Sequence, residues 1–222
     1  MNFNTTAVGV LVCGLLASNA FAQTLPVVQT GNISVDNGTD TQFLTVNWWP
    51  NGQKNIGLLQ FDLSAYASFS GTATLNLFHQ WNDGNALGQN AVFNLYQNTS
   101  AWDSSIDDWT ERPSYEPTPA ATLTISDSNT YLWRSVDVTA AVSSWTSGAM
   151  TNYGFTLERV DQGNPFIYFV ADAEHPDTGE SLRPTLTLVT APIPEPETYA
   201  LMLAGLGLLG LAQRRRKQKA VA

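Results

Sequence analysis

The chain has 222 residues, 43% of them hydrophobic and only 13% charged, with a formal net charge of −9. The hydrophobic share is enough for a buried core and excludes wholesale disorder. The acidic balance excludes a nucleic-acid binder, which needs a basic face to neutralise phosphates. The charge is also unevenly placed. Five of the ten Lys and Arg residues fall in the last nine positions, while 23–193 carries 17 acids against Lys54, Arg112, Arg134, Arg159 and Arg183.

Residues 1–22 read as a secretory signal peptide. An apolar run extends from Ala7 to Ala17, and Ala20 and Ala22 place small side chains at the two positions a signal peptidase checks. Cleavage is expected after Ala22. No Lys or Arg precedes the run, so the α-amino group is its only positive charge. Cys13, the one cysteine of the chain, lies inside the run and follows the bulky Val12, which does not suit a lipoprotein cysteine. The mature chain would then hold no cysteine, which excludes disulfides, thiol catalysis and Cys-ligated zinc.

The body, 23–190, reads as short strands with period-two alternation. In order these are Gln42–Trp48, Ile56–Phe61, Ala73–His79, Ala91–Gln97, Ala121–Ile125, Tyr131–Val136, Tyr153–Arg159, Phe166–Ala171 and Pro184–Val189. Ala73, Leu75, Leu77 and His79 share one face; Thr74, Asn76 and Phe78 share the other. Turn signals such as Asn37-Gly38, Asn51-Gly52 and Asp83-Gly84 separate the runs. About nine or ten strands with this spacing predict an all-β fold, an antiparallel β-sandwich or jelly roll. One short helical turn is expected over Ala140–Trp145, capped by Thr139.

The tail, 191–222, has three parts. Pro194, Glu195 and Pro196 precede an apolar run to Ala212, and Arg214, Arg215, Arg216 and Lys217 follow it. Tyr199–Ala212 would be roughly 21 Å long as a helix, short for a hydrocarbon core of about 30 Å. Snorkelling arginines and Tyr199 would cover part of the difference. The basic cluster acts as a membrane stop and keeps the body on the far side of the membrane. This order of parts resembles the PEP-CTERM sorting signal. The resemblance implies that an exosortase reads Pro194, Glu195 and Pro196. It also implies transient residence in the inner membrane, then delivery to the outer envelope surface or the extracellular matrix.

The body carries landmarks in a set order: Phe61-Asp62-Leu63-Ser64, Ser100-Ala101-Trp102-Asp103, Asp108-Trp109-Thr110-Glu111-Arg112-Pro113, Val136-Asp137-Val138-Thr139, Asn152-Tyr153-Gly154 and Arg183-Pro184-Thr185-Leu186. Together they resemble the DNRLRE or disaggregatase-related domain, a carbohydrate-binding-module-like jelly roll. The resemblance implies a β-sandwich associated with extracellular polysaccharide, for binding or display.

Sugar rings present apolar C–H faces to aromatic rings and hydroxyls to amides and carboxylates. Trp48 and Trp49, and Trp81 with Asn82 and Asp83, end strands beside polar turns and are the carbohydrate-binding candidates. Trp102 and Trp109 fall within the landmarks, Trp145 follows the one that ends at Thr139, and all three are expected to pack. Hard carboxylate oxygens suit Ca²⁺. Asp36, Asp40 and Asp62 would be the ligands of a structural ion, although Asp62 and Asp137 also suit backbone turns. No cofactor is expected otherwise. A glycosidase would need two carboxylates in unlike environments, and a lyase would pair His79 with a tyrosine. The expectation is a non-catalytic surface protein. A polysaccharide-degrading enzyme and a structural matrix protein without sugar specificity are the alternatives.

Overall fold

The structure, a computed structural model, describes residues 21–34, 43–48, 52–83, 91–106, 108–126, 129–160, 166–172, 181–191, 202–211 and 213. Residues Ala22–Ala191 form one compact unit. It holds eleven strands: β1 (Ala22–Pro26), β2 (Gln29–Ser34), β3 (Phe43–Trp48), β4 (Lys54–Gln60), β5 (Gly71–Asp83), β6 (Ala91–Gln97), β7 (Ala121–Ile125), β8 (Leu132–Asp137), β9 (Phe155–Arg159), β10 (Phe166–Val170) and β11 (Thr185–Thr190). The described residues of this unit add a 3-10 turn at Trp109–Glu111 and one helix, α1 (Thr139–Thr146). All the pairings are antiparallel.

The strands follow the order β1-β11-β5-β10-β3-β4-β9-β6-β7, with β8 added to β5 and β2 to β4. The path folds into two layers at β3. Its first four residues pair with β10, and its last two pair with β4. Alternation sends Leu44, Val46, Leu75, Leu77, Ile167 and Phe169 of the first layer inward against Phe93, Leu95, Phe155 and Leu157 of the second. Phe93 meets Phe169 edge-on across the gap, centroids 5.6 Å apart. Burying each such side chain is worth about 1.5–3 kcal/mol, and with no disulfide this packing is the main source of stability.

The layers converge where β3 changes sides. Gly57 of β4 faces the Leu44 and Val46 side chains of β3; a Cβ there would lie 3.4–3.5 Å from them. Asn32, paired with Gly57 in register, is buried and donates to the Phe43 and Thr45 carbonyls at 3.1 and 3.4 Å. A side-chain amide of β2 thus donates to two β3 carbonyls close to the point where β3 changes layers.

Two expectations need correction in detail. The N-terminal stretch supplies two strands, β1 and β2, that alternation did not reveal: Ala22–Pro26 is exposed at four of its five positions, and Gln29–Ser34 is polar apart from Gly31 and Ile33. Cleavage after Ala22 would leave Gln23–Pro26 of β1, which pair with β11 through Leu188 to Thr185. Thr139 does not cap α1; it lies inside the helix. The Asp137 carboxylate takes the Thr139 N–H at 2.8 Å, and the Thr139 hydroxyl accepts the Ala73 N–H at 2.9 Å, tying α1 to β5.

In the tail, residues 202–211 are helical, with Met202, Leu203, Leu206, Leu208, Leu209 and Leu211 exposed. No helix of the described residues is long and apolar enough to cross a membrane. Residues 1–20 of the expected signal peptide, including Ala20, lie outside the described residues, as do Pro194, Glu195, Pro196 and the cluster Arg214, Arg215, Arg216 and Lys217; Ala22 is described and begins β1.

Candidate functional site

Register brings two of the predicted segments to one level of β10, although Trp48 itself has already crossed to pair with Lys54 of β4 in the second layer. Ile167 of β10 faces Val46 of β3 on one side and Asn82 of β5 on the other. Trp48 lies two residues beyond Val46. Trp81 faces Tyr168, and Asp83 faces Phe166, after a bulge at Gln80. Two strand spacings, about 10 Å, therefore separate the β3 and β5 backbones at this level. Trp49 lies outside the described residues; for Trp81, Asn82 and Asp83 the description is of backbone alone.

The Trp48 ring is half-buried, and the Lys54 ammonium lies 3.8 Å from its centroid. Lys54 also pairs with Glu158 of β9, whose other carboxylate oxygen accepts the Tyr115 hydroxyl at 2.8 Å. Tyr115 stacks on Tyr96 of β6, centroids 4.7 Å apart. The Tyr96 hydroxyl accepts from Asn94, which in turn accepts from Thr122 of β7. One connected row of aromatic, charged and amide groups thus crosses the outer face of the second layer. Burial first, and the Glu158 hydrogen bond second, push the Tyr115 phenol well above its ordinary value. It is held as a neutral donor.

The conspicuous aspartates serve turns. Asp62, Asp103, Asp108 and Asp137 each accept the backbone N–H of a Ser or Thr two residues on, at 2.8–2.9 Å. These bonds hold all four carboxyls below their ordinary value. The Ser64 N–H dominates for Asp62 and the Thr110 N–H for Asp108; the hydroxyls of Ser105 and Thr139 dominate for Asp103 and Asp137. Asp62 stands at the opposite end of β4 from Ser34, where the segment with Asp36 and Asp40 begins. Asp36 and Asp40 lie outside the described residues. Among the described residues no group of three or more His, Cys, Asp or Glu gathers as a cation site.

The landmark tryptophans pack. Trp102 donates to the Tyr153 carbonyl at 2.8 Å and lies over Gly31, where a Cβ would come within 3.1 Å of the ring. Trp102 and Trp109 cover Ile33, Ile56, Leu58 and Ile106. Trp145 is buried against Phe155. Asn152 donates to the Phe61 carbonyl at 2.8 Å, and Asn98 donates to that of Tyr153 at 3.1 Å. The scattered landmarks therefore meet each other. His79 is fully buried, in contact with Phe169 and Arg134.

One aromatic escaped the sequence reasoning. Trp133 is 41% exposed, more open than any other tryptophan whose side chain is described. The available signal was the alternation Trp133-Arg134-Ser135-Val136-Asp137, which puts the indole in phase with two polar residues.

Residues 26–188 match the family model described as carbohydrate-binding module family 96, and residues 192–217 match the PEP-CTERM protein-sorting motif. No curated protein matches the chain.

Proposed function

We propose, on the premise that the chain belongs to carbohydrate-binding module family 96, that it is a non-catalytic glycan-binding protein carried to the cell envelope by its sorting tail. In this reading a signal peptidase removes the leader and the tail halts in the inner membrane. An exosortase reads Pro194, Glu195 and Pro196, and the body reaches the outer surface or the extracellular matrix. There it contacts polysaccharide through Trp48, Trp49, Trp81, Asn82 and Asp83.

The observation that carries the reading is the register across β3, β10 and β5, which brings the Trp81-Asn82-Asp83 end of β5 level with Val46 of β3, two residues before Trp48. The carboxylates do not favour a hydrolase: Asp62, Asp103, Asp108 and Asp137 are held ionised in turns, whereas a general acid must keep its proton.

Affinity electrophoresis of the full chain in mild detergent tests the proposal. Retardation by a glycan in the gel, lost in Trp48→Ala or Trp81→Ala, is the expected result. Retardation by no glycan would favour a structural matrix role. New reducing ends or unsaturated uronates after incubation with polysaccharide would make the protein an enzyme.

A further inference from the structure

Trp133 stands on the outer face of the first layer, together with Ser135 and Asp137 of β8; the intervening Arg134 and Val136 are less exposed. Phe78 of β5 meets its ring edge-on at 5.4 Å and holds it. Tyr131, 62% exposed, immediately precedes the strand. The face continues in register from Ser135 to Asn76 of β5 and on to Thr185 of β11.

Asn76 is the centre of this face. Its Nδ2 donates to Thr187 Oγ1 at 3.0 Å and to Thr185 Oγ1 at 3.3 Å, and its Oδ1 accepts from Ser135 Oγ at 2.7 Å. Each bond leaves capacity unused. The two threonine hydroxyls already accept, so each still has a proton to donate. Ser135 already donates, so its lone pairs remain free. Donors therefore lie on the β11 side and acceptors on the β8 side, about 10 Å apart across two strand spacings, with the indole about 7 Å along β8 from Ser135. Sugar hydroxyls both donate and accept, and the C–H face of the ring stacks on an indole. Among the described residues of β8, β11 and the facing half of β5, the outward charge is Asp137; Arg183, two residues before Thr185, is paired with Asp172.

We infer that this face, built on Trp133, Asn76, Ser135, Thr185 and Thr187, is a second glycan contact that takes neutral sugars and turns polyuronates away. The inference rests on the carbohydrate-binding reading above, but on none of the residues proposed there. A neutral sugar loses nothing beside a lone carboxylate, whereas a chain of uronates meets repulsion from Asp137 and from the acidic body.

The full chain in mild detergent is run in gels containing hydroxyethyl cellulose, galactomannan or polygalacturonate. The wild type should be retarded by at least one neutral polymer. Trp133→Ala should weaken that interaction about tenfold and Asn76→Ala several-fold, and Trp133→Phe should retain most of it. A cooperative melt for each variant should show that it is folded, so that lost retardation reads the contact. Unchanged retardation in Trp133→Ala would overturn the inference; if Trp48→Ala or Trp81→Ala then abolished it, the proposed function would survive alone. A wild type retarded by polygalacturonate and by neither neutral polymer would also overturn the inference while leaving glycan binding intact. No retardation in any gel would sink both.

Discussion

The ammonium of Lys54 lies 3.8 Å from the centre of the Trp48 indole, and the two residues face each other in register on β4 and β3. The contact fixes one flank of the indole and couples it to Glu158, which pairs with Lys54 and accepts from Tyr115. A cation over an indole is worth about 0.5–1 kcal/mol at an exposed site and more when desolvated. A double-mutant cycle of Lys54→Met with Trp48→Leu should return a coupling of about that size by urea denaturation. Glu158→Gln should cost more, about 1–3 kcal/mol, because the half-buried Lys54 ammonium loses its counter-charge.

Gly154 has a φ of +80°, and a Cβ there would lie 2.1 Å from the Leu59 carbonyl oxygen. Gly148 has nearly the same φ, +77°, with nothing within 4 Å. Gly148→Ala should therefore cost only the left-handed backbone penalty, about 1–2 kcal/mol. Gly154→Ala should cost at least ~3 kcal/mol, since a backbone oxygen must also move. Thermal melts of the two variants compare backbone strain alone with strain plus collision.

Acid should weaken the protein through its turns. Asp62, Asp103, Asp108 and Asp137 have folded pKa values below the ordinary 3.8. Below about pH 4 the unfolded chain binds more protons than the folded one, so stability falls with pH. The contribution is whole above that value and is lost as pH drops through the folded values. Melting temperature measured from pH 6 to pH 2 should decline below about pH 4. Asp137→Asn keeps the acceptor oxygen but removes the titration, so its decline should be shallower.

Alkali should act through Tyr115. Its folded pKa lies above the ordinary 10.0, driven first by burial and then by Glu158. Above about pH 10 the unfolded chain loses the phenolic proton while the folded chain keeps it, so stability falls as pH rises. Tyr115→Phe should remove that part of the alkaline slope in melts between pH 9 and pH 11. In a spectrophotometric titration of the native protein between pH 9 and pH 11, Tyr115→Phe should leave the absorbance change unaltered.

The sorting tail makes a prediction of its own. Glu195→Ala should leave the protein in the inner membrane fraction, whereas the wild type should reach the envelope surface. Normal surface delivery of the variant would refute the proposed role of Pro194, Glu195 and Pro196.

Much of the fold was legible because alternation is a local property. The inward set Ala73, Leu75, Leu77 and His79 can be read from spacing alone, and the structure buries all four. β1 and β2 escaped because their strand character comes from partners distant in sequence, β11 and β4, rather than from an apolar stripe of their own. The turn aspartates are half legible: the sequence suits Asp62 and Asp137 to turn anchors, while Asp103 and Asp108, which stand in a cluster of carboxylates, make the same bond to a Ser or Thr two positions on.

The sequence by itself determined the order of parts and the all-β class, because apolar runs, basic clusters and period-two patterns need no folded context. Tertiary structure decided which side chains meet. It carried β3 from one layer to the other and set Lys54 over Trp48. It also turned Trp133 outward beside a lattice of hydroxyls from strands more than fifty residues away in the chain. The physical reason is that pairing register and layer packing are long-range, and an indole's exposure depends on what those pairings leave uncovered.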